Sequence, residues 1–134
     1  MDGDPTRSIA EGFIAFMEQG VPPTGLFADD VFCDFTMPLW RLQAQGMDDV
    51  VALRTQGHPL PGEVTRWRCD PTPTGFVLEF EERWSDGVQR WYCREMARAD
   101  VVAGAIASLS VYCTGDWDEA LQRRHAAEVA LLRP

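Results

Sequence analysis

The sequence predicts an α+β protein in which helices pack on one side of a curved antiparallel sheet. Two observations carry this prediction. Apolar residues recur at helical spacing early in the chain, and from Glu63 onward they alternate with polar residues, as in strands. The expected order is helix, helix, strand, helix, four strands and helix. Because 134 residues with 46% hydrophobic content suffice for only one core, we expect a single domain over residues 1–134.

Two helices are predicted in the first half of the chain. The first begins after Asp4, a capping residue followed by proline, and it ends at Gly20. The second opens at Gly46 and ends near Pro59, because glycine followed by proline stops a helix. The first helix spaces its apolar side chains for one buried face, and these are Ile9, Phe13, Ile14, Phe16 and Met17.

The other segments are less regular, apart from the C-terminal one. Asp116 and Glu119 form a D-x-x-E pattern, which predicts the start of a terminal helix. The remaining predicted segments are a short helical turn over residues 25–29, a strand over 31–37, a stretch over 39–45 that fits either extended chain or loop, and four antiparallel strands between 63 and 114.

The hairpin over residues 76–97 gives the most specific expectation. Asp86-Gly87 is typical of the centre of a two-residue type I′ turn. The resulting register places Glu82 opposite Trp91 and about 13 Å from Glu95, so the two carboxyls are not expected to act as a pair. A carboxylate among Trp and Phe side chains loses hydration, and the pKa of Glu82 is therefore expected to be raised.

Composition and charge exclude several classes of function. The net charge of −9 gives no basic surface for nucleic acid, and the chain contains neither lysine nor asparagine. A Schiff-base lysine and a phosphate-binding Walker lysine are therefore excluded. No apolar run approaches the roughly 20 residues of a membrane span, and the N-terminus is acidic where a signal peptide is basic. We expect no nucleic-acid partner, no membrane partner and a cytoplasmic location.

The sequence does not predict a metal or another cofactor. The four cysteines, Cys33, Cys69, Cys93 and Cys113, have no short C-x-x-C spacing, and we interpret them as small buried hydrophobic residues. A disulfide or a zinc site is the less favoured alternative. The two histidines show no H-x-x-x-H or H-x-H spacing, so a metal centre is not expected. No dinucleotide-binding or nucleophile-elbow motif occurs.

The chain resembles the nuclear-transport-factor-2-like superfamily, in particular its SnoaL-like small-molecule members. The resemblance lies in residues 25–31, which lead into the first strand, in residues 45–50, which open the second clear helix, and in the four strands that follow. It implies a cone-like half-barrel with a deep apolar pocket between sheet and helices, often dimeric through the outer sheet face. Members include ketosteroid-isomerase-like proton shuttles, polyketide cyclases, dehydratases, epoxide hydrolases and pure binding proteins.

One catalytic position of the resemblance is not matched. In ketosteroid-isomerase-like members the catalytic aspartate lies on the first strand, seven residues after the alanine of an Ala-Asp-Asp run. Counting from Ala28 reaches Phe35, and the nearest acid is Asp34. Neighbouring residues of a strand point to opposite faces, so Asp34 would face away from the pocket unless a bulge intervenes.

Three acids are candidate catalytic residues: Glu82, Asp34 and Glu95. Glu82 and Glu95 each have the alternative of pairing with a nearby arginine such as Arg41 or Arg68. Several aromatic side chains share the inward face and suit a flat or polycyclic ligand. The candidate substrate-binding residues are Phe35, Trp40, Arg41, His58, Trp67, Phe80, Trp84, Trp91 and Cys93.

The leading functional hypothesis is a cofactor-independent acid–base enzyme, of cyclase, isomerase or dehydratase type. Glu82 or Asp34 would remove a proton from a small, apolar, ring-containing metabolite. The alternative is a non-catalytic small-molecule-binding or dimerising accessory protein, which an acid neutralised by arginine would favour. A homodimer is expected through the outer sheet face, which carries Val77, Glu79, Glu81, Tyr92, Arg94, Ser110 and Tyr112.

Overall fold

The computed structural model describes residues 4–134 and has the predicted α+β class. No described helix is long and apolar enough to cross a membrane. The elements are α1 (Pro5–Gln19), β1 (Phe27–Met37), β2 (Trp40–Gln45), α2 (Met47–Gly57), β3 (Gly62–Pro71), β4 (Gly75–Ser85), β5 (Arg90–Val102), β6 (Ala105–Cys113) and α3 (Glu119–Glu128).

The six strands form one curved sheet that does not close, in the order β2-β1-β6-β5-β4-β3. The predicted antiparallel succession of β3, β4, β5 and β6 is confirmed. β1 and β2 are also antiparallel, whereas β1 runs parallel to β6. The sheet is therefore mixed, because the chain crosses from the first hairpin to the far edge through α2 and β3 before it returns.

The start of β1 corrects the predicted helical turn over residues 25–29. Leu26 and Phe27 are buried, and Phe27 pairs with Ile106 of β6. The Ile106 amide donates a hydrogen bond to the Leu26 carbonyl oxygen at 2.8 Å. This segment is extended because β6 supplies its hydrogen-bond partners. β6 follows 80 residues later, so the local sequence of residues 25–29 does not indicate this pairing. The ambiguous residues 39–45 contain the whole of β2, which is extended because it pairs with β1 in a hairpin.

α1 and α2 cover the inner face of the sheet, which we define as the face of Phe80 and Cys93. Asp4 caps α1 as predicted, because its carboxylate accepts a hydrogen bond from the Thr6 amide at 3.0 Å. Gly20 ends the helix with a left-handed φ of 76°. The buried face of α1 contains Ala10, Phe13, Ile14, Phe16 and Met17.

α3 lies at the end of β5 and differs from the other two helices. Trp117, just before α3, packs on Tyr92 of the outer face at 5.7 Å between ring centroids, and His125 of α3 contacts Trp117. The N-cap is Asp118, whose carboxylate accepts the Leu121 amide at 2.8 Å, so the capping role predicted for Asp116 is wrong. The third helix thus leaves most of the inner face to α1 and α2.

The β4–β5 turn has four residues, and the predicted two-residue turn is wrong. The Asp86 carboxylate accepts hydrogen bonds from the amides of Val88 and Gln89 at 2.8 and 2.7 Å, which stabilises the longer turn. The register consequently shifts by two residues. Because a shift of two keeps every side chain on its face, the inward set is as predicted, but Glu82 now lies opposite Cys93 and Glu95 opposite Phe80.

Gly75, the first residue of β4, gives a test of this pairing. A Cβ atom at Gly75 would lie 1.9 Å from the Ala99 carbonyl oxygen. We expect Gly75→Ala to lower the free energy of unfolding by about 3 kcal/mol, measured by urea denaturation. Gly57→Ala is the matched control, because nothing lies within 4 Å of its added methyl group, and it should be neutral or slightly stabilising. Equal stability of the two variants would contradict the register.

Candidate functional site

A small cavity of about 50 Å³ lies between α1, α2 and the inner face of the sheet. Among the described residues, Arg54 contributes the only guanidinium group to the lining and Glu95 the only carboxyl group. A cavity of about 150 Å³ is needed for benzene, so this one is smaller than the deep pocket that the resemblance implies. The apolar lining consists of Phe13, Phe16, Met17, Cys33, Phe35, Val50, Leu53, Leu109 and Val111.

Glu82 forms a buried ion pair with Arg54. The guanidinium donates hydrogen bonds of 2.5 and 3.1 Å to the two carboxylate oxygens, and Glu82 is 1% exposed. Burial alone would raise the pKa of Glu82, but hydrogen bonds from Glu95 and Arg54, with the charge of Arg54, lower it below its usual value. The predicted raised pKa is therefore wrong, because the sequence did not show that α2 brings an arginine to this carboxylate.

Glu95 has the raised pKa that the sequence predicted for Glu82. It is 6% exposed, and burial, a hydrogen bond with Glu82 and the charge of Glu82 raise its pKa well above the usual value of 4.5. Its surroundings therefore favour the protonated form of Glu95 beside the Glu82 carboxylate. The expected separation of about 13 Å is wrong, since the four-residue turn moves Glu95 two positions closer to Glu82.

Two cysteines lie beside this carboxyl pair. The Cys93 sulfur is 3.7 Å from a Glu95 oxygen and 3.9 Å from a Glu82 oxygen. A hydrogen bond with Cys113 and burial raise the pKa of Cys93, and the same hydrogen bond lowers the pKa of Cys113. Both cysteines are free thiols. The inner face therefore carries four adjacent acidic groups, and Arg54 forms an ion pair with one of them, Glu82.

The aromatic residues His58, Trp84 and Trp91 pack in a row, with His58 edge-on to Trp84 and the two tryptophans stacked. Ring centroids are 4.1 Å apart for His58 and Trp84 and 6.3 Å apart for Trp84 and Trp91. Burial and the charge of Arg54 lower the pKa of His58, which favours the neutral imidazole. The two tryptophans line an open groove of about 610 Å³ beside α3, and they do not line the cavity that Glu95 faces.

Asp34 and Arg41 pair with each other on the outer face. The Arg41 guanidinium donates hydrogen bonds of 2.9 and 2.5 Å to the Asp34 carboxylate, which lower the pKa of Asp34. Phe35 lines the cavity, as expected for the next residue of a strand. Asp34 and Arg41 therefore lie outside the cavity, and Trp40, 65% exposed, lies at the rim of the sheet.

Two further candidate ligand-binding residues are packing residues of the inner face. The Arg7 guanidinium lies over the Trp67 ring at 4.6 Å, and the Phe80 ring packs edge-on against Phe13 at 6.0 Å. Neither Trp67 nor Phe80 lines the cavity. Arg68 pairs with a neighbouring aspartate on its own strand and not with either glutamate.

Sequence reasoning missed Arg54, Cys113 and Asp116. Arg54 follows Val50 by four residues, which places it on the buried face of α2, and an arginine at such a position was a usable signal. Cys113 becomes relevant only through its pairing with Glu95 across β5 and β6. Burial and the nearby charge of Glu82 raise the pKa of Asp116, whose place beside the site follows from the turn after β6.

The comparisons with known proteins address the fold. No protein-family model matches the chain, and no curated protein matches it. An NTF2-like protein from Anabaena variabilis is 17% identical and superposes with a TM-score of 0.68, covering 87% of this chain and 94% of that chain. A protein provisionally assigned as a polyketide cyclase from Pseudomonas putida is 17% identical, with a TM-score of 0.64 over 82% of this chain and 92% of that one.

A third similar structure is provisionally assigned as a ketosteroid isomerase from Kribbella flavida. It is 16% identical, with a TM-score of 0.51, and the match covers 96% of this chain and 92% of that chain. Identities this low establish the architecture and leave the activity to the residues of the site. The element order, the unclosed curved sheet and these superpositions together show that the chain has the NTF2-like fold.

Proposed function

We propose that this chain is an acid–base enzyme that needs no organic cofactor and acts on a small, apolar, ring-containing metabolite. The reaction class is cyclisation, isomerisation or dehydration, and Glu95 is the group that exchanges a proton with the substrate. The observation that carries this proposal is the burial of Glu95 beside the Glu82–Arg54 ion pair at the wall of an apolar cavity, which raises the pKa of Glu95 and lowers that of Glu82.

The two glutamates have different roles in this proposal. Arg54 donates two hydrogen bonds to Glu82 and fixes it as a carboxylate, so Glu82 is a positioning residue. Glu95 faces the cavity and keeps its proton because a second negative charge beside Glu82 is unfavourable. A carboxylic acid that is neutral near pH 7 can donate its proton to a substrate oxygen, and the carboxylate that results can take a proton back.

The cavity lining supports an apolar substrate. Its walls are formed by phenylalanine, leucine and valine side chains, and the ion pair already cancels the charge at its polar end. A ring does not fit into about 50 Å³, so binding requires side chains to move. The half-buried Phe35 and Leu53 are the lining residues with the most freedom to do so, because they lie at the solvent side of the core.

A binding protein without catalysis is the second candidate function. The observation in its favour is the neutralisation of Glu82 by Arg54, since an acid that is held by a guanidinium is a poor base. Under this alternative, Glu95 would donate a hydrogen bond to a ligand oxygen and would transfer no proton. The two functions differ in what the loss of the Glu95 proton does to turnover and to affinity.

Glu95→Gln tests the proposed enzyme. Native mass spectrometry of the protein purified from its own cell extract identifies a retained metabolite, which then serves as the assay compound. Because the amide keeps the shape but transfers no proton, we expect kcat to fall by about 10²–10⁴-fold with ligand affinity nearly unchanged.

Glu11→Gln, on the exposed surface of α1, is the control and should keep the parent rate. Turnover of the Glu95 variant within a few-fold of the parent would refute the role of Glu95. A retained ligand that neither protein converts would favour the binding protein.

The protonated state of Glu95 has a consequence for stability. The unfolded chain releases this proton near pH 4.5, whereas the folded chain keeps it to higher pH. The folded state then binds more protons, so the free energy of unfolding falls as pH rises from about 4.5 through the folded-state pKa, by at most about 1.4 kcal/mol per pH unit. Denaturant unfolding at a series of pH values should show this decline in the parent and its absence in Glu95→Gln. Parallel pH profiles would contradict a protonated Glu95.

We also propose that the chain forms a homodimer through the outer sheet face. Met96 and Tyr112 pair across β5 and β6 on this face and are 46% and 61% exposed. They lie away from α3, and the polar pair of Asp34 and Arg41 adjoins them on β1 and β2. An apolar centre with a polar rim is typical of a two-fold interface.

A cytoplasmic location stays a prediction of the sequence.

Light scattering at micromolar concentration tests the dimer. The parent should give about twice the chain mass of 15.0 kDa, and Tyr112→Asp should give the chain mass itself, because a charge at the centre of the interface is costly to bury. Val88→Asp is the control, since Val88 is 90% exposed at the hairpin turn and lies outside the proposed interface. A monomeric parent would refute this interface.

A further inference from the structure

Two cysteines and a glutamate meet on the inner face, although they are far apart in the sequence. Cys93 and Glu95 lie two residues apart on β5, and Cys113 on β6 pairs with Glu95. The two sulfur atoms and a carboxylate oxygen of Glu95 all lie within 4.8 Å of one another. Cys93 and Glu95 are buried, at 2% and 6% exposure, and both thiols are free.

The spacing suits one metal ion. Zinc binds thiolate sulfur at about 2.3 Å and carboxylate oxygen at about 2.0–2.2 Å in tetrahedral sites, so two ligand atoms of one ion are about 3.5–3.8 Å apart. The distances between the three ligand atoms of this cluster would have to shorten by at most about 1 Å to reach those values.

A disulfide fits this pair of cysteines less well. Cys113 is paired with Glu95, so Cys93 is its diagonal neighbour across β5 and β6. Cα atoms of diagonal neighbours are about 7–8 Å apart, whereas a disulfide joins Cα atoms that are about 4.4–6.8 Å apart. The thiols therefore stay available as ligands, because bridging them would require the backbone to move.

The charges around the cluster favour a cation. Arg54 gives its hydrogen bonds to Glu82 and to the Met17 carbonyl oxygen, and no described arginine or histidine forms an ion pair with the buried Glu95 carboxyl. The Glu82 carboxylate lies 3.9 Å from the Cys93 sulfur, and Arg54 already balances its charge. A divalent ion would supply positive charge where three acidic side chains face one another.

We propose that Cys93, Cys113 and Glu95 bind one thiophilic divalent cation, of which Zn²⁺ is the representative. Two thiolates select Zn²⁺ and similar ions over Mg²⁺ and Ca²⁺, which prefer oxygen ligands. Protons displaced from the ligands go to solvent, and no redox step is involved. Glu95 lines the cavity, so the fourth coordination position is open to water or a small ligand on that side.

This proposal goes beyond the proposed function and does not rest on it. The ion would occupy the Glu95 oxygen that carries the proton in the acid–base reaction, so the metal-loaded protein would lack that acid. Activity assays of the proposed function should therefore contain a chelator. Metal binding is measured separately, by spectroscopy without any substrate. The failure of one proposal leaves the other intact.

Cobalt titration tests the site. The reduced, chelator-treated full chain is titrated with Co²⁺, whose thiolate charge-transfer absorption and intense tetrahedral visible bands report the ligands directly. We expect saturation at one equivalent per chain and displacement by Zn²⁺ but not by Mg²⁺. Cys113→Ser and Cys93→Ser should each weaken binding by more than about 100-fold, since even outer-shell changes cost 10–100-fold.

Cys69→Ser is the matched control, because Cys69 is a half-buried free thiol on β3 outside the cluster, and it should bind Co²⁺ like the parent. Circular dichroism confirms that each variant is folded, and the half-buried Cys113 provides the test if Cys93→Ser does not fold. An absence of charge-transfer absorption in the parent would overturn the proposal. Loss of the absorption in Cys69→Ser, or its full retention in a folded Cys113→Ser, would also overturn it.

Discussion

The buried ion pair between Arg54 and Glu82 connects the helical layer to the sheet. The Arg54 guanidinium hydrogen-bonds both oxygens of Glu82 on β4 and also the Met17 carbonyl oxygen near the end of α1. One side chain of α2 thus fixes α1, α2 and the sheet relative to one another. Removing two charges from water costs several kcal/mol each, and only this full set of hydrogen bonds offsets that cost.

The same ion pair decides how protons are distributed in the site. Once Arg54 holds Glu82 as a carboxylate, the adjacent Glu95 cannot ionise easily, because a second negative charge would be buried next to the first. The result is one fixed charge and one transferable proton at the wall of an apolar cavity. The titration belongs to the pair, so a change at either glutamate or at Arg54 alters the behaviour of the other members.

The two faces of the sheet carry different chemistry. The inner face holds its polar groups in one buried cluster around Glu95, with Cys93 and Cys113 beside it. The outer face has exposed ion pairs, such as Asp34 with Arg41, together with exposed Met96 and Tyr112. Strand alternation separates the two sets, and it explains why Phe35 lines the cavity although its neighbour Asp34 does not.

The sequence by itself determined the α+β class, the buried face of α1 and the division of the β4 and β5 side chains between two faces. These properties follow from local periodicity and capping, and a register shift of two residues leaves them unchanged. The four-residue turn at Asp86 is held by local hydrogen bonds that the Asp86-Gly87 pattern did not reveal. Tertiary structure alone decided the extended start of β1 and the meeting of Arg54 with Glu82, because both depend on hydrogen bonds or charges from residues distant in the chain. The protonation of Glu95 and its contact with Cys93 and Cys113 depend on them in turn, because a pKa reflects the neighbours that the fold supplies.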